Sequence, residues 1–323
     1  MAKLIDKKDR FYVAGHNGMA GSAICRSLIK NNYRNIIYTH RNDLDLCNYE
    51  SVLKWFNNNK PEVVVIAAAK VGGIIANDSY PTEFLLNNMK IQNNIIEASW
   101  KNNVKRLLFL GSSCIFPKSC KQPMVEEDLL TGPLEQTNQW YALAKITGIK
   151  LCDALRKQYD FDAICLMPTN LYGSGDNYHE KDSHVIPGLI RRFHEAVLEK
   201  KSTVKCWGTG SPLREFLFVD DLGSSCVFAL ENWRPKLNEL NFLNVGSGNE
   251  ITIKDLAYKI AKICGFSGEI LWEKEKPDGT RRKLLDLSKF TKIGWKASID
   301  LDQGLKISYD SFLKDLENNK LRK

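Results

Sequence analysis

The first half of the chain alternates between two kinds of hydrophobic pattern. Short apolar runs of strand length are each followed by a longer segment in which apolar residues recur with helical spacing. The predicted strands are residues 10–14, 35–39, 62–67, 105–111 and 162–167, and the predicted helices are 20–30, 49–59, 81–103 and 139–159. Regular alternation of this kind predicts an α/β fold with a doubly wound parallel sheet and right-handed crossovers.

The pattern changes after residue 172. The polar, turn-rich segment 173–183 predicts a loop over a site at the end of the sheet. The remaining predicted elements are a helix at 184–200, several short strands, a helix that begins at Val219, a core strand at 242–246 and an amphipathic helix at 301–316. We therefore predict a Rossmann domain at 1–172, with 219–250 returning to its sheet, and a smaller C-terminal substrate-binding lobe formed by 173–218 and 251–323.

A glycine-rich turn, Gly15-His-Asn-Gly18-Met-Ala-Gly21, lies between the first predicted strand and the first predicted helix. Glycines permit a tight turn, close approach of the backbone to a pyrophosphate and close packing of the helix on the strand. The N-terminus of the helix then faces the phosphates. A turn of this spacing by itself is equally typical of an ordinary loop, but the flanking strand and helix favour a dinucleotide site.

Tyr141 and Lys145 stand four residues apart in a predicted helix and therefore share one face. Ser112 directly follows the predicted strand 105–111, where ligands of a parallel sheet bind. A lysine ammonium beside a phenol favours the phenolate, so we expect Lys145 to lower the pKa of Tyr141. A phenol tuned in this way can exchange a proton with an alcohol or sugar oxygen near neutral pH.

Composition and charge narrow the classes of function. The chain has 323 residues, of which 43% are hydrophobic, and its formal net charge is +8. No apolar run is long enough to span a bilayer, and the charged N-terminus shows no secretion signal. The nine cysteines form no C-x-x-C pair, which favours free thiols in a cytoplasmic protein over disulfides or a zinc site. No basic stripe is interleaved with aromatic residues, so we expect no nucleic-acid partner and a basic pocket for a phosphate-bearing small molecule instead.

Six longer segments add a specific resemblance to these features. They are residues 67–74, 110–117, 167–173, 183–187, 214–216 and 276–280, which read AAAKVGGI, LGSSCIFP, MPTNLYG, SHVIP, REF and KPDGT. With the glycine turn and the Ser–Tyr–Lys set, over nearly the whole chain from Phe11 to Trp295, they resemble the GDP-L-fucose synthase family of extended short-chain dehydrogenases/reductases.

The resemblance implies an NADPH-dependent enzyme that epimerises C3 and C5 of GDP-4-keto-6-deoxy-D-mannose and then reduces its C4 ketone. The residues that match the reductive triad are Ser112, Tyr141 and Lys145, and those that match the base and acid of epimerisation are Cys114 and His184. Positions that match contacts with the GDP-sugar are Arg192, Trp207, Arg214 and Asp278. The family also implies a homodimer formed through two long helices, here the predicted helices 81–103 and 139–159.

The resemblance also implies the cofactor site. Residues that match NADP(H) contacts of the family are Gly15, His16, Asn17, Gly18, Met19, Ala20, Gly21, Arg41, Leu110, Gly111, Ser112, Ser113, Lys145, Pro168, Thr169, Asn170, Leu171 and His184. The predicted strand 35–39 is followed by His40 and Arg41 and not by an acidic residue that would bind a ribose 2′-hydroxyl, so we predict a preference for NADPH over NADH. The family often has arginine where this chain has Asn17, which is predicted to weaken that preference.

Alternative interpretations stay open at this point. Cys114 alone is typical of a small buried side chain, Trp207 is equally typical of packing, and Asp278 is typical of a turn. Nucleotide-sugar 4-epimerases and 4,6-dehydratases share the fold and the triad, although the epimerases lack the Cys/His pair and the dehydratases typically carry Thr-Asp-Glu at positions 113–115. The other class is a non-enzymatic NAD(P)-binding scaffold, against which the complete triad argues.

Overall fold

A parallel sheet occupies the centre of the computed structural model, which describes residues 3–180, 182–276 and 278–322. The strands of the described chain are β1 (Phe11–Ala14), β2 (Ile36–Ile37), β3 (Val63–Ile66), β4 (Arg106–Leu110), β5 (Ala163–Pro168), β6 (Asn170–Tyr172), β7 (Thr203–Trp207), β8 (Leu213–Phe218), β9 (Phe242–Val245), β10 (Glu250–Thr252), β11 (Glu269–Glu273) and β12 (Arg282–Lys283). Six of them form the central sheet in the order β2-β1-β3-β4-β5-β9, and every neighbouring pair is parallel. From β1 the chain continues to β2 on one side of it and then to β3 on the other side. Sheets of this kind bind ligands between the two strands where the order changes side, here β1 and β3.

Helices cover both faces of this sheet. The helices of the described chain are α1 (Met19–Lys30), α2 (Tyr49–Asn59), α3 (Ile74–Ser79), α4 (Pro81–Lys101), α5 (Gln139–Tyr159), α6 (Val185–Leu198), α7 (Val219–Asn232), α8 (Ile253–Cys264), α9 (Ser288–Ile293) and α10 (Leu301–Glu317). Helices α1 and α7 pack together on one face, and α2, α4 and α5 pack on the other. Because both faces are covered, strands such as β3, with the sequence Val-Val-Val-Ile, are apolar and buried at every position.

A third hydrophobic core lies outside the two sheet faces. It is built from α6, α8 and α10 and includes the buried side chains of Phe193, Leu256 and Phe312. Strand β8 connects this part of the chain to the sheet region, because it pairs with β6 and β12 in parallel and with β10 antiparallel. Strands β7 and β11 form a separate parallel pair.

The structure confirms the predicted fold class, a doubly wound parallel sheet of Rossmann type. Helices α2 and α5 have the predicted bounds, and the core strand predicted at 242–246 is β9, next to β5. The second strand is shorter than predicted, and α3, β11 and β12 were not predicted at all. The domain boundaries stay a prediction, and two residues of the predicted segments, Lys181 and Pro277, lie outside the described residues. No helix in the described part of the chain combines the length and apolar character needed to cross a membrane.

Candidate active site

The glycine turn between β1 and α1 is held close to the end of β3. Gly15 has a φ of +87°, and a Cβ there would lie 2.7 Å from the backbone nitrogen of Ala68. A Cβ on Gly21 would overlap the carbonyl oxygen of Gly15, so α1 packs directly on the turn. Both positions therefore require glycine, one for its backbone conformation and both for space, as the sequence predicted.

The N-terminus of α1 points its free N–H groups towards this turn. Gly18 is the N-cap and has no side chain to accept their hydrogen bonds, and the first turn, which begins with Met19 and Ala20, contains no acidic residue. An uncapped helix N-terminus attracts an anionic group through its N–H groups and the helix dipole. The turn and the helix together fit the pyrophosphate of a dinucleotide.

Four side chains form one surface between the glycine turn and the end of β2. The ring of His16 is buried, and its centre lies 5.0 Å from that of Tyr38 and 5.4 Å from that of His40. The amide Nδ2 of Asn17 lies 3.1 Å from Nδ1 of His40. Burial lowers the pKa of His16, and the charge of His40 lowers it further. Arg41 follows with an exposed side chain, so the two residues directly after the predicted strand 35–39, His40 and Arg41, carry no carboxylate.

The residues after β4 place a hydroxyl and a thiol side by side. Ser113–Ile115 forms a single 3₁₀ turn, and the Oγ of Ser112 accepts a hydrogen bond from the backbone nitrogen of Cys114 at 3.4 Å. The Cys114 side chain is only 7% exposed. Burial raises the pKa of the Cys114 thiol, while the charges of Lys283 and Lys145 and a hydrogen bond with Ser112 oppose that rise. The thiolate is therefore disfavoured by its surroundings but supported by two ammonium groups.

Tyr141 and Lys145 lie on the face of α5 that contacts the end of β4. The Nζ of Lys145 donates a hydrogen bond to the carbonyl oxygen of Leu110 at 2.8 Å and lies 5.6 Å from the centre of the Tyr141 ring. Lys145 is 3% exposed, and burial lowers its pKa to about 8. Burial raises the pKa of Tyr141, and the charge of Cys114 adds to this rise. The predicted lowering of the Tyr141 pKa is therefore wrong for this structure, because desolvation of the buried phenolate raises that pKa.

Lys283 belongs to the same cluster and was missed by the sequence analysis. It lies on β12, opposite Arg214 of β8 in the parallel register. Burial lowers the pKa of Lys283, the charge of Cys114 opposes this effect, and the charge of Arg214 adds to it. A lysine on a strand of two residues has no hydrophobic period to identify it. Its only signal in the sequence is that it follows the segment 276–280.

Glu215 fixes the strands around Lys283. Its side chain is 0% exposed, and its carboxylate accepts hydrogen bonds from the backbone nitrogens of Gly248 at 2.8 Å and Leu285 at 3.2 Å. Its carbonyl oxygen accepts one from the Asn170 side chain at 2.8 Å. Burial raises the pKa of Glu215, and these backbone donors oppose the rise. Glu215 thus joins β8 to the loop after β9 and to the residues after β12 through its carboxylate, and to β6 through its main-chain carbonyl.

The remaining residues assigned to the cofactor lie at the ends of neighbouring strands of the sheet. Leu110, Gly111 and Ser113 lie at the end of β4, and the Gly111 nitrogen donates to the carbonyl oxygen of Leu166 at 2.9 Å. Pro168, Thr169, Asn170 and Leu171 lie at the end of β5 and in β6, and the Thr169 nitrogen donates to the carbonyl oxygen of Val245 at 2.9 Å. The structure therefore brings these segments to the same edge of the sheet as Gly15, as parallel strands require.

His184 lies at the start of α6, directly after the loop that was predicted to cover the site. It is the N-cap of α6, and the preceding loop contacts the start of α3, where the nitrogen of Gly73 donates a hydrogen bond to the carbonyl oxygen of Asp182 at 3.3 Å. His184 keeps an exposed surface, but the protein around it desolvates the imidazole and lowers its pKa. Within the described residues no hydrogen bond joins His184 to Cys114 or Tyr141. Its place on the opposite side of a bound sugar stays a prediction.

An exposed aromatic ring and a basic side chain lie on β7 and beside it. Trp207 is 51% exposed, and the Nζ of Lys276 lies 5.8 Å from its ring centre. Arg192 of α6 donates to the carbonyl oxygen of Lys205 at 2.9 Å, which holds it against β7. An exposed ring next to cations can stack on a nucleotide base or sugar.

Asp278 holds the turn that follows Trp207. Its two carboxylate oxygens accept hydrogen bonds from the Thr209 nitrogen and the Thr209 hydroxyl, each at 2.7 Å. Burial lowers the pKa of Arg214, and the charge of Asp278 opposes this effect. The four residues assigned to a GDP-sugar thus lie together around β7, β8 and their connecting turn. The geometry gives Asp278 a structural role in that turn, and its contact with a sugar stays a prediction.

Comparisons with known proteins agree with this arrangement. The sequence model described as "NAD dependent epimerase/dehydratase family" matches residues 11–246. GDP-L-fucose synthase 1 of Arabidopsis thaliana is 49% identical over 98% of this chain and 97% of its own length. GDP-L-fucose synthase of Escherichia coli (strain K12) is 47% identical over 95% of this chain and 98% of its own length.

A solved structure extends the similarity to three dimensions. The GDP-mannoheptose C4 reductase MlghC from Campylobacter jejuni, determined with NADP bound, has a TM-score of 0.85 and 33% sequence identity, and the match covers 95% of this chain and 98% of the other. The matches in sequence and in structure each extend over most of both proteins. The chain therefore belongs to the NAD-dependent epimerase/dehydratase family and, within it, to the GDP-L-fucose synthases.

Proposed function

We propose that this chain converts GDP-4-keto-6-deoxy-D-mannose to GDP-L-fucose with NADPH, by epimerisation at C3 and C5 followed by reduction at C4. The observation that carries the proposal is the position of Cys114, which interacts electrostatically with Lys145, Lys283 and Tyr141 and is hydrogen-bonded to Ser112. Reduction of a ketone requires a proton donor for the oxygen, and epimerisation requires in addition a base for the carbon beside it. The cluster contains both kinds of group.

The residues at the end of the sheet fit the cofactor that this reaction requires. The glycine turn and the N-terminus of α1 would hold its pyrophosphate, and Arg41 would bind the 2′-phosphate. The ends of β4 and β5 would hold its nicotinamide half. When bound, NADPH supplies the hydride for C4 of the sugar.

Cys114 acts as the base that starts epimerisation. Its thiolate removes a proton from C3 or C5, and the electron pair of the broken C–H bond moves into the C4 ketone oxygen to give an enolate. Hydrogen bonds from Ser112 and Tyr141 stabilise that oxygen. The charges of Lys145 and Lys283 lower the free energy of the thiolate, which burial otherwise disfavours.

His184 returns the proton to the opposite face of the carbon. Inversion needs groups on both faces, and His184, the N-cap of α6, is the group proposed for the face opposite Cys114. After both carbons have been inverted, Tyr141 donates a proton to the C4 oxygen as C4 is reduced. Lys145, bonded to the carbonyl oxygen of Leu110, is the nearest cation to that phenol along α5.

The GDP part of the substrate is proposed to lie on β7 and β8. Trp207 supplies an exposed ring for the base or ribose, and Arg192 and Arg214 supply charges for the diphosphate. Arg214 lies opposite Lys283 in the strand register. The part of the site proposed for the diphosphate therefore adjoins the reaction cluster, which consists of Ser112, Cys114, Tyr141, Lys145 and Lys283.

The proposed function is tested by one incubation. The purified protein is mixed with GDP-4-keto-6-deoxy-D-mannose and NADPH in deuterated water, and the product is analysed by NMR. The expected product is GDP-L-fucose that carries deuterium at C3 and C5, formed together with oxidation of NADPH. Recovery of unchanged substrate with no deuterium and no NADPH oxidation would contradict the proposal.

A second candidate is a GDP-sugar C4 reductase without epimerase activity. The similarity to the Campylobacter jejuni C4 reductase favours it. The same incubation separates the two candidates, because a simple reductase oxidises NADPH without exchange of the C3 and C5 protons. The cluster around Cys114 and Lys283 favours the first candidate, since reduction alone needs no thiol base.

The assembly, the location and the division of the chain are also proposals. The long helices α4 and α5 pack on each other and keep large apolar side chains exposed, namely Leu86, Trp140 and Leu143, which supports a homodimer through these helices. Light scattering after size-exclusion chromatography tests the proposed homodimer.

All nine cysteines are free thiols, which supports a location in the cytoplasm. The third core, separate from the two that cover the sheet, supports a substrate-binding lobe at 173–218 and 251–323.

A further inference from the structure

The loop of residues 173–183 leads directly to His184, the group proposed as the acid of epimerisation. In the middle of this loop lies Tyr178, whose side chain is only 1% exposed. The centre of the Tyr178 ring lies 4.8 Å from that of Phe312, so the loop is tied to the third hydrophobic core. Whatever holds this loop therefore also limits where His184 can lie.

An arginine of α6 holds the loop from one side. Arg191 lies about two helical turns after His184. Its Nη1 donates a hydrogen bond to the carbonyl oxygen of Tyr178 at 3.0 Å, and its Nε donates to Oε1 of Glu195 at 2.6 Å. The neighbouring Arg192 diverges from it by about 100° around the helix and contacts β7 instead. Arg191 thus connects α6 to the loop that precedes this helix.

A second arginine, in the segment that follows α10, holds the loop from the other side. The carbonyl oxygen of Arg322 accepts a hydrogen bond from the nitrogen of Tyr178 at 2.9 Å, and its Nη1 donates to the carbonyl oxygen of Gly175 at 2.9 Å. Asp176, between these two contacts, is 4% exposed, and its Oδ2 has no hydrogen-bond partner among the described residues. Burial raises the pKa of Asp176 to about 7, and the charge of Arg322 opposes this rise. Arg322 therefore both bonds the backbone of the loop and supports its buried carboxylate.

The end of the loop next to His184 has its own contact. A Cβ on Gly73 would lie 3.3 Å from the carbonyl oxygen of Ser183, and the nitrogen of Gly73 donates to the carbonyl oxygen of Asp182. The loop is thus held in its middle by the two arginines and at its end by the start of α3, and His184 follows directly after both contacts.

We propose that Arg191 and Arg322 are positioning residues for His184. Through the backbone of Tyr178 they fix the loop and the start of α6, so that the imidazole delivers its proton to the face of the sugar opposite Cys114. The inference rests on the proposed function, because it takes His184 as the acid of epimerisation. Its consequence is selective, since Cys114 lies on the separate turn after β4. Loss of either arginine should impair delivery of the proton and leave its removal intact.

An incubation in deuterated water separates these two steps. GDP-4-keto-6-deoxy-D-mannose and NADPH are mixed with each variant, and NMR follows the exchange of the C3 and C5 protons and the formation of inverted product. The variants are Arg191→Met and Arg322→Met, each made in the wild type and in His184→Asn. Lys320→Met is the matched control, because it removes a positive charge from the same segment at a residue held in the described chain by its backbone nitrogen.

We expect Arg191→Met to slow inversion about tenfold and Arg322→Met about three- to fivefold, because a small displacement of a catalytic group costs up to about 10²-fold. Exchange of the C3 and C5 protons should stay close to the wild-type rate in both. Arg191→Lys can still donate to the carbonyl oxygen of Tyr178 and should recover most of the inversion. In His184→Asn neither substitution should slow inversion further, because residues that act through the same group are not additive.

Amide hydrogen exchange provides a measurement that needs no substrate. Mass spectrometry of a peptide that covers residues 173–184 should show faster exchange in both arginine variants and unchanged exchange in Lys320→Met. Unchanged exchange in the arginine variants would overturn the inference, because the loop would then be held without them.

Three further outcomes of the incubation contradict the positioning role. An equal loss of exchange and inversion would show a general disturbance of the site, and an added loss in His184→Asn would show that the arginines act through another group. Wild-type inversion in both arginine variants would show that they have no role. In these three cases the proposed function stands. Absence of exchange and of product in the wild type would overturn the proposed function and this inference with it.

Discussion

The reaction cluster after β4 and the nucleotide-sugar side around β7 differ most in their contact with solvent. Cys114 and Lys145 are 7% and 3% exposed, whereas Trp207 is 51% exposed. In the first region burial is the largest cause of the pKa shifts of Cys114, Tyr141 and Lys145, and each shift favours the neutral form. In the second region an aromatic ring and arginines supply contacts that do not depend on a change of protonation.

This difference separates chemistry from binding. Groups that must gain or lose protons near neutral pH have their proton affinities set by desolvation and by fixed neighbours on rigid elements. Groups that must receive and release a large polar substrate stay accessible. Substitutions in the buried cluster should therefore change rates by orders of magnitude, and substitutions around β7 should change mainly the affinity for substrate.

The sharpest test on the buried side is Cys114→Ser. A hydroxyl has nearly the same size as the thiol but is a far weaker base at neutral pH. We expect exchange of the C3 and C5 protons with deuterated solvent, followed by NMR, to fall to the background rate. His184→Asn is the matched variant, which should still permit some proton removal but impair delivery to the opposite face. Wild-type exchange in Cys114→Ser would place the base elsewhere.

Tyr141→Phe removes only the phenolic oxygen and keeps the ring. We expect the rate of C4 reduction, measured as NADPH oxidation, to fall about 10²–10⁴-fold, which is the usual contribution of a general acid. Binding of the cofactor and of the GDP-sugar, measured by titration, should be retained. Turnover close to that of the wild type would show that another group delivers the proton.

Lys283→Met tests a residue that joins the two regions. The charge of Lys283 lowers the pKa of Cys114, so its removal should raise that pKa further and leave less thiolate at neutral pH. Exchange of the C3 and C5 protons should become markedly slower near neutral pH, because less of the thiol is ionised, and should recover as the pH rises.

A loss of exchange in Lys283→Met that is equal at all pH values would contradict this electrostatic role. Lys283→Arg serves as the control, because it keeps the positive charge and should restore most of the pH profile. If both variants raise only the KM for the GDP-sugar, Lys283 belongs to the binding side alone.

The smallest effect is expected on the exposed side. Trp207→Ala should raise the KM for the GDP-sugar about fivefold and leave kcat almost unchanged, since stacking on an exposed ring contributes at the lower end of about 1–3 kcal/mol. Steady-state kinetics with varied GDP-sugar provide the measurement. A large fall in kcat with unchanged KM would contradict the separation of chemistry from binding.

Much of the fold follows from local pattern. The bounds of α2 and α5, the buried strands β1, β3, β4 and β5 and the glycine turn were predictable, because each carries its own hydrophobic period or backbone requirement. Strand β2 and the short strands β11 and β12 were not predicted with correct bounds, because two to five residues at an exposed or half-buried edge have too little periodicity.

The candidate site, like the fold, was predictable from the sequence only in part. The sequence alone determined the residue types of the cluster, the spacing of Tyr141 and Lys145 on one helix face, and the absence of an acidic residue after β2. Tertiary structure decided that Lys283, distant in sequence, lies beside Cys114, and that Glu215 holds the residues after β12 against β8. It also decided that burial raises the pKa of Tyr141 where spacing alone predicted that Lys145 would lower it. Spacing along a helix reports which groups are neighbours, but desolvation depends on everything that packs around them, and only the folded chain determines that.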